Sequence, residues 1–189
     1  MTMVKPISTE KWTYERLLQE LPSESRYEIR NYNLIDMPAP IIEHQRIVKR
    51  VTKKLDAFTE SNQLGEVFIS PLDVVFDKGN VCEPDVIFVA SENKQIVGRK
   101  NISGSPDLVV EVVSKGSVVR DYVEKKNDYE TFGVKEYWLI DPLNETIIVY
   151  ALNEENKYTI FSSVEEQGIA KSKLLDGFEL AFEEVFIAE

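Results

Sequence analysis

Glu111 lies in Leu108-Val109-Val110-Glu111-Val112-Val113, a β-branched run that reads as a central strand buried on both faces. Desolvating an ionised carboxylate costs several kcal/mol unless a cation meets it. The run therefore calls for a metal or a basic side chain beside Glu111. A second apolar run, Val81 to Val89, sets Asp85 in a similar context directly after Pro84. Two acids on two apolar strands, 26 residues apart, suggest a metal site between neighbouring strands.

A lysine falls where it could join them. The spacing predicts a helix from Ser117, a candidate cap, to Gly133, a candidate terminator. Val118, Tyr122, Tyr129 and Phe132 form its apolar face, and Lys125 falls between them on the same face. Lys126 points about 100° away. Lys125 could snorkel, with its stem packed and its amine in water. Its short connection to the Glu111 strand favours a meeting of the two instead. The acids also have a structural alternative: hydrogen bonds to backbone amides, or a buried ion pair.

Composition narrows the chemistry. The single cysteine, Cys82, excludes an internal disulfide and fits a reducing cytosol, so a cytoplasmic location is expected. One cysteine and one histidine, His44, exclude a zinc-cysteine or histidine-rich site within one chain. Any metal site must be built mostly from oxygen, which suits Mg²⁺ or Mn²⁺, or Ca²⁺. No apolar run approaches a membrane span, and no signal-peptide pattern is visible. The net charge of −11 argues against nucleic acid only on average. Residues 121–189 hold 16 acids against 6 Lys or Arg, whereas residues 41–54 hold one acid against Arg46, Lys49, Arg50, Lys53 and Lys54. A local basic face remains compatible with an acidic chain.

The elements that would position these residues follow from periodicity and turn chemistry. A short helix is expected over 9–20 with Trp12, Leu17 and Leu18 inward. A hairpin follows over Tyr27–Arg30 and Leu34–Met37, turning at Asn31-Tyr32-Asn33. Residues 42–59 form the clearest helix, with Ile47, Val48, Val51, Leu55 and Phe58 on one face. Val67–Phe76 is a strand region interrupted at Pro71. Strands are expected at 84–90, 107–113 and 136–140, then an antiparallel pair at 146–152 and 157–162, and a short helix near 182–187. The strand–helix–strand passage from 107 to 140 requires a crossover and a locally parallel pair. The expected class is mixed α/β, in one domain spanning 1–189, with a core at about 27–142.

Pro84-Asp85, Glu111-Val-Val-Ser114, Lys125-Lys-Asn-Asp-Tyr129 and Gly133-Val-Lys-Glu-Tyr137-Trp138-Leu-Ile-Asp141-Pro142 resemble the Uma-two family of restriction endonucleases, in the PD-(D/E)XK nuclease superfamily. The resemblance extends to Arg26-Tyr27-Glu28 and Pro38-Ala-Pro40 with His44-Gln45, and covers roughly residues 10–187. It implies a restriction endonuclease-like fold, a mixed central sheet flanked by helices. It also implies roles. Asp85 matches the acid of the PD element and Glu111 the acid of (D/E)XK. The superfamily lysine would sit at position 113, which is Val113 here; Lys125 takes its place from the following helix. Glu28 matches an early glutamate that supports the site, and the Val112 carbonyl would be a further metal ligand. The family usually turns with Asp-Gly after the Tyr-Glu strand, where this chain has Asn31-Tyr32-Asn33.

The expectation is a Mg²⁺- or Mn²⁺-dependent endonuclease acting on DNA. Asp85 and Glu111 would hold the metal, Lys125 would assist the water, and Glu28 would support them. His44, Gln45, Arg46, Lys49 and Lys53 are the weaker candidates for substrate contact. For His44 a structural hydrogen bond is the simpler role, and for the basic residues a solvated helix face. Two rivals stand beside this reading. One is a non-catalytic nucleic-acid or protein-binding module that keeps the fold. The other is a homodimeric interaction protein whose acids and lysine form a structural ion-pair network. By analogy, a homodimer would also suit double-strand cutting.

Overall fold

The computed structural model describes residues 11–22 and 25–187. Helix α1 (Tyr14–Glu20) is capped by Thr13, whose side chain accepts from the Arg16 amide. Residues 9 and 10 of the expected helix lie outside the described residues. Trp12 and Leu17 are partly buried, but Leu18 is 57% exposed. Adjacent helical residues diverge by about 100°, and on this one short helix Leu18 falls on the solvent side. Strands β1 (Tyr27–Arg30) and β2 (Asn33–Asp36) form the expected hairpin, with Arg30 opposite Asn33. Its two-residue turn holds Asn31 at φ 49° and Tyr32 at φ 65°. Two left-handed residues in sequence make the turn whose twist matches a hairpin. Gly79 lies against the Tyr32 ring, where a Cβ would come within 2.7 Å.

Helix α2 (Ile42–Ser61) buries Ile47, Val48, Val51 and Leu55, the face expected from their spacing. The chain continues through β3 (Gly65–Ile69), β4 (Val74–Asp77), β5 (Asn80–Cys82), β6 (Val86–Ala90), a 3₁₀ turn (Ser91–Ile96), β7 (Ile102–Ser103) and β8 (Leu108–Val112). A helical stretch over 118–132 begins with two α residues, opens into a π turn (Arg120–Lys125) and ends as α3 (Lys126–Phe132). Gly133 terminates it at φ 77°. Then come β9 (Glu136–Asp141), β10 (Thr146–Leu152), β11 (Tyr158–Glu165), β12 (Ile169–Lys171), β13 (Glu179–Ala181) and α4 (Phe182–Phe186).

A six-stranded mixed sheet in the order β11-β10-β9-β8-β6-β3 holds the core. Its one parallel pairing is β8 with β9, as the crossover requires. Leu108, Val110 and Val112 face α2 and the C-terminal elements. Val109 and Val113 face the other side, with Tyr129, Tyr137 and Leu139. Tyr137 and Trp138 are buried in this core. A second sheet, β2-β1-β5-β4-β7, shares a cluster with the first through Val74, Ile87, Val89 and Ile102.

Two expectations about local structure are corrected. The strand expected over 84–90 to carry Asp85 begins at Val86: the Val81–Val89 run divides at Glu83-Pro84-Asp85 between β5 of one sheet and β6 of the other, and Asp85 lies in the break. Pro84 has no N–H for a ladder, which suits a break. The helix face also differs, because Val118 is 37% exposed and the buried polar positions are Asp121 and Lys125, in line with Tyr129. The π turn changes the phase that a uniform α-helix would have given. No helix among the described residues is long and apolar enough to cross a membrane.

Candidate active site

The β8 register explains where Glu111 goes. Strand side chains alternate, so Glu111 shares the face of Val109 and Val113, over which the helical crossover packs. Lys125 Nζ reaches Glu111 Oε1 at 2.7 Å, and the Tyr129 hydroxyl donates to the same oxygen. Lys125 also meets Glu28 Oε1 at 3.0 Å. Glu28 accepts there from the Glu83 amide at 3.1 Å, so β1 is tied to the chain leaving β5. Glu28, Glu111 and Lys125 are all at least 95% buried. Snorkelling of Lys125 is therefore overturned: its amine ends between two carboxylates.

Asp85 reaches the same place from the break between the sheets. Its Oδ2 accepts from the Val112 amide at 2.8 Å and from His44 Nε2 at 3.1 Å. The β6–β8 register pairs Val86 with Val110, and two places further it sets Pro84 opposite Val112. Proline cannot donate to the Val112 carbonyl, and the Asp85 side chain satisfies the Val112 amide instead. His44 is buried on the inner face of α2, and its Nδ1 has no hydrogen-bond partner among the described residues. Since a carboxylate only accepts, the imidazole proton belongs on Nε2. Asp85, Glu111, Val112, His44 and Lys125 line one cleft of about 270 Å³.

Asp121 lines that cleft as well, and the sequence reading missed it. It stands four residues before Lys125 and eight before Tyr129, a spacing that could have revealed it. It accepts a hydrogen bond from Ser117 Oγ, which in turn accepts from the Ser114 amide at 3.0 Å. The start of the helix is thus laced to the end of β8. Ser114 opens the turn after β8, where its carbonyl accepts from the Ser117 amide at 3.0 Å.

Burial and charge set the protonation of these groups. Burial works against the Lys125 ammonium, yet Glu111, Glu28 and Asp121 together hold its pKa well above the ordinary lysine value. Burial raises Glu111 well above the usual carboxylate range, opposed by Lys125 and assisted by Asp85, Asp121 and Glu28. Burial pushes Asp121 up to about 6, opposed by Lys125 and the Ser117 hydrogen bond. The centre is a cluster of acids around one firmly charged lysine.

Several expected contributors stand elsewhere. Gln45, Arg46, Lys49 and Lys53 are exposed and do not line the cleft. They occupy the turns of α2 opposite Ile47, Val48 and Val51, so the inward requirement of those residues sends them outward. Glu28 does not line the cleft either; it contacts the centre through Lys125.

Among the described residues, no three His, Cys, Asp or Glu side chains gather as a ready metal cage. Two carboxylates, Asp85 and Glu111, line the cleft beside a carbonyl, that of Val112, with no ladder donor opposite it. Mg²⁺ keeps several waters and is commonly bound by one or two carboxylates, so this all-oxygen set fits Mg²⁺ or Mn²⁺.

Comparison with known proteins bears on the family and the fold. The family model Uma2, described as "Putative restriction endonuclease", matches residues 13–183. A solved structure, described as a putative nuclease belonging to DUF820 from Anabaena variabilis ATCC 29413, superposes with a TM-score of 0.76. It shares 18% identity, over 93% of this chain and 97% of that one, and so bears on the fold. No curated protein matched the chain.

Proposed function

The chain belongs to the Uma2 family, and from that membership we propose that it is a metal-dependent endonuclease hydrolysing phosphodiester bonds in DNA. The observation that carries this reading is the Lys125 ammonium, 2.7 Å from Glu111 inside a cleft that Asp85 also lines. A lysine beside two acids can meet the two demands of phosphodiester hydrolysis. Negative charge must be neutralised at phosphorus, and a water must be activated.

The residues divide the work. Asp85 and Glu111, with the Val112 carbonyl, would hold Mg²⁺ or Mn²⁺. When bound, that ion supplies Lewis-acid charge to the phosphoryl oxygen and acidifies the attacking water. Lys125 stabilises charge that develops in the transition state and orients the water through its remaining N–H bond. Glu28 holds the Lys125 amine from the β1 side and, together with Glu111, keeps it charged. Tyr129 fixes Glu111 by donating to the oxygen that Lys125 also contacts. His44 orients Asp85 by a hydrogen bond. We read residues 1–189 as one domain and the protein as cytoplasmic, and we propose that a homodimer would make a double-strand cut.

Cleavage of labelled DNA with Mn²⁺ tests the reading. Wild type should cut, and Glu111→Gln should not. Absence of cutting by wild type, with DNA binding intact, would favour the non-catalytic binding module. Calorimetry separates the structural ion-pair alternative, which predicts no heat of Mn²⁺ binding in wild type.

A further inference from the structure

Arg120 is the unexplained cation of the cleft. Three residues of positive side-chain type line it besides Lys125 and His44: Arg26, Lys115 and Arg120. Arg26 is engaged, facing Glu83 at 3.6 Å and the Pro38 carbonyl at 3.4 Å. Arg30, on the neighbouring strand, is engaged by Glu124 at 2.7 Å and Asp128 at 2.6 Å. Arg120 is different. Among the described residues, the group within hydrogen-bond reach of its guanidinium is the Met37 thioether, at 2.8 Å. Thioether sulfur is a weak acceptor and carries no compensating charge.

Stability does not account for this placement. Arg120 is in the first turn of the 118–132 helical stretch. A cation there opposes the helix dipole, whose N-terminal end is already positive. A half-buried guanidinium with one sulfur partner also keeps most of its five donors unused. Both features favour an anion arriving from solvent. A guanidinium suits phosphate oxygens in particular, because its parallel N–H bonds match their spacing.

Position supplies the rest. Arg120 is adjacent to Asp121, and both line the cleft that holds Asp85, Glu111 and Lys125. Lys115, exposed at the turn after β8, lines the same cleft. Met37, Pro38, Ala39, Pro40 and Ile41 also line it and offer no charge. A strand entering the cleft would therefore find its cationic contacts at Arg120 and Lys115.

We propose that Arg120 binds a backbone phosphate of the nucleic-acid strand, neighbouring the phosphodiester presented to Asp85, Glu111 and Lys125. This assignment rests on the nuclease reading above and deepens it. Arg120 contacts substrate without touching the reacting atoms, so its effect falls on binding.

The test uses the full chain in the Glu111→Gln background, which keeps oligonucleotide intact. Binding of a fluorescein-labelled duplex is followed by anisotropy over a range of salt concentrations. Adding Arg120→Gln should weaken binding about tenfold and lower the salt slope by about one, the signature of one lost phosphate contact. Arg120→Lys should restore the slope while recovering part of the affinity. Lys171→Gln, on an exposed pair with Glu179, serves as the matched charge control and should change neither. Equal affinity and slope for the parent and Arg120→Gln would overturn the arginine assignment and leave the nuclease reading standing. A parent that binds no oligonucleotide would overturn both. Melting temperatures within a degree of the parent exclude unfolding as the cause of any loss.

Discussion

The Asp85 carboxylate accepts the Val112 amide at 2.8 Å, so one acid of the cleft is tied to the strand that carries the other. The tie crosses from the loop between the sheets to β8, one residue beyond Glu111. Movement of Asp85 is thereby coupled to the placement of Glu111 and of the Val112 carbonyl.

Divalent cations should stabilise the folded protein through this pair. At a free Mn²⁺ concentration tenfold above Kd, the gain should be about 1.4 kcal/mol. Asp85→Asn should remove the gain, although an amide oxygen can still accept from Val112. Thermal melts of both proteins with and without Mn²⁺ decide it, and equal shifts would count against Asp85 as a ligand.

Lys125→Met should lower turnover by at least ~10²-fold, the scale for losing one preorganised electrostatic group. It should also destabilise the fold by about 3 kcal/mol, because Glu111 and Glu28 lose a buried counter-charge. Lys126→Ala should do little to turnover. Its amine lies 5.3 Å from the Tyr150 ring centroid, a contact of about 1 kcal/mol or less. Single-turnover cleavage and urea unfolding of both variants provide the comparison, and matching cleavage rates would reject Lys125 as the assisting group.

Tyr129→Phe keeps the ring that packs 5.1 Å from Tyr137 and deletes only the donor to Glu111. The expected loss is about 1–2 kcal/mol of stability, the cost of leaving a charged acceptor short of one bond. Turnover should fall with it, since Glu111 gains freedom. Unchanged stability in urea would mean that the hydroxyl contributes nothing to holding the acid.

Asp121 makes stability depend on acidity. Its folded pKa is raised from 3.8 to about 6, so between those values the folded state binds the extra proton. Stability from this group is full below about pH 4 and is lost as pH rises through 6. Relative to Asp121→Asn, wild type should therefore weaken across that window, by at most about 3 kcal/mol. The difference between the two unfolding free energies, measured from pH 3.5 to 7.5, isolates the group from other carboxylates. A flat difference would show that Asp121 titrates normally.

How far the sequence carried the argument depended on the kind of interaction involved. The β-branched run around Glu111 and the 3-4 spacing of α2 are local patterns, and both elements formed where expected. Lys125 was placed correctly by an imperfect route. A uniform α-helix put Val118 on the buried face, whereas the π turn leaves it exposed and brings in Asp121. Nothing in the composition of residues 120–125 announces a wider turn, because backbone phase is set by what the helix packs against. Beyond its β1–β2 hairpin, the second sheet was illegible for a similar reason. Its strands are two to four residues long, and the Val81–Val89 run looks continuous until Pro84 has to sit between two ladders. The basic residues of α2 satisfied a charge pattern, but only three-dimensional placement could separate a solvated face from a cleft wall. Arg120 gave no signal in the sequence, since its meaning lies in the partner it lacks.

The π turn between Arg120 and Lys125 makes the chain unequally tolerant of changes in length. A wider turn stores one residue more than an α-helix of the same rise. Removing the exposed Val123 would let the segment relax to α winding with Ser117 and Tyr129 still in phase. The same loss inside α3, which has no residue to spare, would rotate everything before it by about 100° against the residues that follow. Asp121 and Lys125 would then swing off the cleft together. The wider turn is thus a reserve of length set beside a helix that has none.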